Sequence, residues 1–122
     1  MPHDPRALLW DIQQAGTLIA EFIAGVTPEQ FEHDELLRSA VERKFSIIGE
    51  ATAQLHKAAP EMAQALPDYR AVIALRNVLI HGYAVIKAGR VWHIARHDLP
   101  LYLTSVQALL DQPPAAAPPL AS

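Results

Sequence analysis

The chain has 122 residues, 51% of them hydrophobic and 19% charged, with a formal net charge of −3, which is enough material to bury one core and too little for two. It contains no cysteine, so disulfides, thiolate catalysis and cysteine-ligated zinc are excluded, and a reducing, cytoplasmic setting is expected. No apolar run approaches the roughly 18 residues of a membrane span, and Met1-Pro2-His3-Asp4-Pro5 lacks the basic start and apolar stretch of a signal peptide; no contact with a membrane is expected.

Asp4-Pro5 is an N-cap and first-turn pair, after which Leu8, Leu9, Ile12, Ala15, Leu18, Ile19, Phe22 and Ile23 recur at helical spacing up to Gly25. This predicts a first helix over about 5–24. Thr27-Pro28-Glu29-Gln30 has the form of a capping box opening a short turn that carries Phe31, and Asp34 can cap a second long helix reaching about Lys57. The stripe of that helix is Leu37, Ala40, Val41, Phe45, Ile48, Ala51 and Leu55, and Pro60 is expected to close the segment. Pro67-Asp68 is expected to start a third helix lasting until Gly82, and Gly89 to separate it from a last helical region, 91–111, kinked or restarted at Pro100. Residues 112–122, dominated by proline and alanine, read as a disordered tail, which leaves 1–111 as the domain. No segment alternates as a strand does. Four to five helices with short connections predict an all-α, up-and-down bundle.

The net charge hides an asymmetry along the chain. Residues 1–35 set seven acids against Arg6 (net −6), residues 36–96 set nine bases against Glu42, Glu50, Glu61 and Asp68 (net +5), and the remainder adds Asp98 and Asp111. The basic middle suits an anionic partner if its charges share a face, and scattered surface charge is the alternative. Within it, the third helix places Tyr69, Val72, Ile73, Leu79, Ile80 and Tyr83 within about 80° of Arg76. A guanidinium on an apolar stripe requires a phosphate, a subunit interface or a carboxylate, the last being a structural pair with Glu50. His81 follows five residues later. On an ideal helix the two Cα atoms lie roughly 9 Å apart and point about 140° from each other, so the side chains converge only through reach, unwinding or a second subunit.

Arg76-Asn77-Val78-Leu79-Ile80-His81-Gly82-Tyr83 resembles the R-x-x-x-x-H-x-Y signature of HEPN-domain toxins of the HepT type. Arg43-Lys44 with Ile48-Gly49-Glu50-Ala51 resembles the second-helix segment of that family, and the likeness runs from about residue 6 to 111. Tyr69 departs from it, standing where the family often has tryptophan. The resemblance implies a HEPN-like bundle that acts as a homodimer, its two motifs facing each other across the two-fold, and cleaves RNA as an endonuclease without metal or cofactor. It assigns Arg76 and His81 to catalysis. It also makes Tyr83 the residue adenylylated by a minimal nucleotidyltransferase antitoxin, MntA-like, whose added phosphate beside Arg76 would block RNA. Such chemistry is within reach of these residue types: RNA supplies its own 2′-hydroxyl nucleophile, an imidazole titrating near 6.5 can move protons, and a guanidinium can grip phosphate. A two-fold would supply two imidazoles, one as acid and one as base. Asn77, Glu50 and Arg43 are supporting candidates, with polar surface or a plain charge pair as the alternative for each. A non-catalytic HEPN module that partners a nucleotidyltransferase is the rival function.

Other constellations carry less. His93 and His97 stand four apart, a spacing that can share a metal, but without a glutamate after His93. The glycines are isolated, so no phosphate loop is formed, and Ser46 and Ser105 lack a histidine in any triad pattern.

Overall fold

In a computed structural model of the chain, residues 4–81 and 86–113 are described. Asp4 accepts from the Arg6 amide at 3.0 Å and starts α1 (Pro5–Ile23), which ends before Gly25 at φ +73°, a backbone angle that glycine adopts without strain. The Thr27 and Gln30 side chains form the reciprocal capping box of α2 (Pro28–His33). Asp34 caps α3 (Glu35–Ala58) by accepting from the Leu37 amide at 3.0 Å. α4 (Pro60–Gln64) and α5 (Tyr69–His81) follow, and α6 (Ala88–His93) runs through a π-helical turn, Ile94–Asp98, into α7 (Leu99–Asp111). Every regular element among the described residues is helical, as expected.

Three local expectations meet different outcomes. α3 ends at Ala58, directly ahead of Pro60 as expected, and Pro60 in addition occupies the first turn of a short helix the sequence reading lacked, α4, where its missing N–H costs nothing. Gly89 is no separator but lies inside α6, with open space where a Cβ would stand. Pro67-Asp68 does precede the helix it was expected to start: Asp68 adopts φ +53°, its carbonyl accepts from the Val72 amide at 3.1 Å, and α5 begins at Tyr69. Pro100 marks a perturbation, as predicted, and its form has a cause. Proline has no N–H to return to the carbonyl four residues back, and just before it the ladder widens to π spacing, with the Leu99 amide bonding Ile94 O.

The long helices alternate in direction. Tyr69 at the start of α5 meets His56 near the end of α3, ring centroids 5.3 Å apart, while Arg6 on α1 donates to the carbonyls of Leu110 and Gln112 at 2.7 and 2.9 Å. α3 packs against α1 on one side and α5 on the other, and α1 packs against α7. The core is one contiguous cluster in which Leu9, Ile12, Ile19, Phe31, Val41, Leu55 and Val106 are fully buried, each contributing about 2 kcal/mol by removal of apolar surface from water. A buried polar link joins α3 to α7: Thr52 Oγ1 and Tyr102 Oη lie 2.7 Å apart, and burial pushes the Tyr102 phenol up to about 12.

α5 differs from the rest. None of its residues is fully buried, and Ile80, expected on an apolar stripe, is 54% exposed. The helix rests on α3, while an open groove of about 490 Å³, lined by Phe45, Ile48, Ala71, Leu75, Val78 and Leu101 among others, separates it from α7.

Candidate functional site

α3 and α5 approach closely at Gly49. A Cβ built there would stand 2.2 Å from Arg76 Cβ and 2.9 Å from the Val72 carbonyl oxygen. Absence of a side chain on α3 therefore lets the stem of Arg76 lie directly on its backbone. Sequence reasoning placed Gly49 in the stretch that resembles the family's second helix and otherwise counted it among the isolated glycines, with no packing role. The available signal was its position inside a 24-residue helix, where glycine costs about 1 kcal/mol relative to alanine and so calls for a packing reason.

From that crossing the guanidinium reaches Glu50, the next residue on α3, and forms an ion pair from Nη2 to Oε2. Nη1 donates to Asn77 Oδ1 at 2.6 Å. Nε is buried and has no hydrogen-bond partner among the described residues. An arginine has five N–H donors, so one hydrogen remains on each Nη beyond these two bonds, donors of the kind that engage phosphate. Arg76 is 30% and Glu50 43% exposed, and a pair this open to water contributes at most about 1 kcal/mol. It fixes the direction of the guanidinium more than it holds the fold.

Glu50 has a second partner. The Gln54 amide donates to its other oxygen at 3.0 Å, and this bond is the largest influence holding the Glu50 carboxyl below its ordinary 4.5; partial burial opposes it, and the positive charges of Arg76 and Lys57 add to the lowering. Glu50 is therefore anionic at neutral pH. Arg43, Ser46, Glu50 and Gln54 line a cleft of about 380 Å³ between α3, the start of α1 and the end of α5, faced by Leu8, Asp11 and Ile80. Arg43 and Glu50, paired in the sequence as supporting candidates, share this cleft, and Arg76 reaches it through Glu50.

His81 is the last residue of α5 and is exposed. α5 is helical throughout Tyr69–His81, so the ideal relation holds: His81 lies about 7.5 Å further along the axis than Arg76 and about 140° around it. Within one chain the helix does not turn the two side chains to one face. Tyr83 lies outside the described residues. His93 and His97 do come together, with ring centroids 4.6 Å apart and both exposed; no group of three or more His, Cys, Asp or Glu suited to a metal occurs among the described residues. No described helix is long and apolar enough to cross a membrane.

Residues 12–109 match the family described as Ribonuclease HepT-like. The chain is 32% identical over 98 residues to "Putative RNase MJ1380" of Methanocaldococcus jannaschii, covering 80% of this chain and 89% of that protein. It is 30% identical over 100 residues to "Probable ribonuclease HepT" of Thermococcus cleftensis, covering 82% and 90%. Against "Putative RNase TTE0752" of Caldanaerobacter subterraneus subsp. tengcongensis the identity is 29% over 108 residues, covering 88% and 96%. No solved structure matches the chain.

Proposed function

The chain belongs to the HepT-like ribonuclease family, and from that premise we propose that it is the toxin of a toxin–antitoxin pair, a metal-independent RNA endonuclease that acts as a homodimer. One observation supports this above the others: Arg76 is oriented by Glu50 and Asn77 with two Nη hydrogens to spare, on the same helix that ends in an exposed His81.

In the reaction, the 2′-hydroxyl oxygen attacks the adjacent phosphorus, its proton passing to one His81 imidazole. The bond from phosphorus to the 5′-oxygen breaks, and that oxygen takes a proton from the other protomer's imidazole, leaving a 2′,3′-cyclic phosphate and a 5′-hydroxyl. Arg76 holds the non-bridging oxygens as negative charge builds on them. Because Arg76 and His81 point about 140° apart on one helix, a two-fold that faces two α5 helices brings one chain's guanidinium toward the other chain's imidazole. Arg43 in the adjacent cleft guides the strand. Tyr83, two residues beyond His81, is the control point: a nucleotidyltransferase antitoxin transfers an adenylyl group to its phenol, and the bulky anion excludes RNA.

The test is purified protein with RNA in excess chelator, compared with His81→Ala and Arg76→Ala. Cleavage to cyclic-phosphate ends by the wild type, lost by about 100-fold or more in each variant, is the expected result. Absence of cleavage by the wild type would remove the activity. The rival reading, a non-catalytic module that binds a nucleotidyltransferase, would form that complex equally well with Arg76→Ala.

A further inference from the structure

We infer that Gly49 is a positioning residue for Arg76: the bare backbone of α3 at this point sets the height of α5 above it, and with it the place of the guanidinium at the cleft. The consequence for RNA cleavage rests on the ribonuclease function proposed above; the geometric part does not.

Two glycines in the bundle sit at helix crossings, and they differ in what a side chain would strike. At Gly16 on α1, a Cβ would meet Leu103 Cδ2 and Cδ1 at 2.5 and 2.7 Å, the tip of a side chain that rotates aside. At Gly49 it would meet Arg76 Cβ at 2.2 Å, Val72 O at 2.9 Å and Arg76 Cγ at 3.1 Å. A Cβ and a backbone carbonyl have no rotamer that removes them. Relief requires α5 itself to move, on the order of 1 Å or more to reach ordinary carbon contact near 3.5–4.0 Å.

Such movement is open to α5, because α3 is its main support and the groove toward α7 is unfilled. The displaced helix carries the stem of Arg76 with it, while Glu50 and Gln54 stay on α3. The ion pair to Glu50 lengthens, and the guanidinium leaves the orientation from which its remaining Nη hydrogens would engage phosphate. Errors of about 1 Å in a group that stabilises a transition state cost about 100-fold in rate.

The experiment compares full-length wild type, Gly49→Ala and Gly16→Ala. By carbon-detected NMR, the Glu50 carboxyl is expected to titrate at higher pH in Gly49→Ala than in the wild type while staying below 4.5, since Gln54 still donates to it, and to be unmoved in Gly16→Ala. With RNA, Gly49→Ala is expected to lose about 100-fold in kcat, with Gly16→Ala near wild type. A folded Gly49→Ala whose Glu50 titrates as in the wild type overturns the inference. Where Gly49→Ala folds, a thermal double-mutant cycle with Arg76→Gly adds a second reading: removing Arg76 Cβ and Cγ removes two of the three clashes, so the added alanine costs less in that background, and an equal cost in both backgrounds overturns the inference. Where Gly49→Ala does not fold alone, the Gly49→Ala/Arg76→Gly double variant is expected to fold, and its failure to do so while Arg76→Gly alone folds overturns the inference. If the wild type cleaves no RNA, the Glu50 titration and the cycle still decide whether Gly49 places Arg76, so the two failures are separable.

Discussion

α1 and α5 are both amphipathic and both lie against α3, but α1 buries Leu8, Leu9, Ile12, Ala15, Ile19 and Ile23 whereas α5 buries no residue fully. Their sequences do not account for this. α1 is held between α3 and α7, and α5 has α3 on one side and an open groove on another. Burial is set by how many neighbours a helix has, and elements with few of them open most readily and are those from which functional segments are drawn. Arg76 and His81, the residues proposed for catalysis, lie on the less supported of the two.

The contrast can be broken by mutation, most strongly in the core. Ile19→Ala on α1 is expected to cost about 3 kcal/mol in denaturant unfolding, since it combines lost transfer energy with a cavity, and a cost below about 1 kcal/mol would show that α1 is less tightly enclosed than described. Leu79→Ala on half-buried α5 should cost about 1 kcal/mol in the same assay, because little of a cavity forms beside solvent. Arg76→Ala should cost at most about 1 kcal/mol, the scale of an ion pair open to water; global unfolding would make the arginine a structural element instead. Amide exchange should rank the helices without mutation, with α5 amides exchanging at lower protection than those of α1 and α3.

The smallest effect is at acid pH. Glu50 is held below 4.5 in the folded chain, so its contribution is complete above about pH 4.5 and is lost as pH falls through the lower folded value. Compared with Glu50→Gln, the wild type should show a stability advantage of less than about 1 kcal/mol that disappears on acidification. An advantage that persists at pH 2 would contradict the direction of the shift.

Much of this architecture was legible in the sequence because its signals are local. Asp4-Pro5, the Thr27 to Gln30 box and Asp34 each satisfy amides within three residues, and the helices start where these caps predict. What was not legible depends on neighbours distant in the chain. The stripe through Val72, Leu79 and Ile80 has a helical period whether or not anything covers it, so periodicity alone did not indicate that Ile80 would stand in solvent. Likewise Gly49 and Arg76 are 27 positions apart, and the lack of space between them arises only when α3 and α5 cross. Pairing of Arg76 with Glu50 was foreseen as an alternative, and it is the arrangement found. The placement of Tyr83 lies outside the described residues.

The contact of Arg6 with the last carbonyls of α7 brings opposite ends of the described fold to one place, and Leu8 and Asp11, little more than a helical turn onward, already belong to the cleft. A segment attached directly at Asp4 or at Pro113, the ends of the described fold, would therefore start beside this cleft. A polyhistidine tag there would add cationic or metal-loaded groups of its own. Enzymological comparisons are best made after tag removal, and a linker joining the ends of the described fold offers a route to circular permutants whose new ends open elsewhere on the bundle.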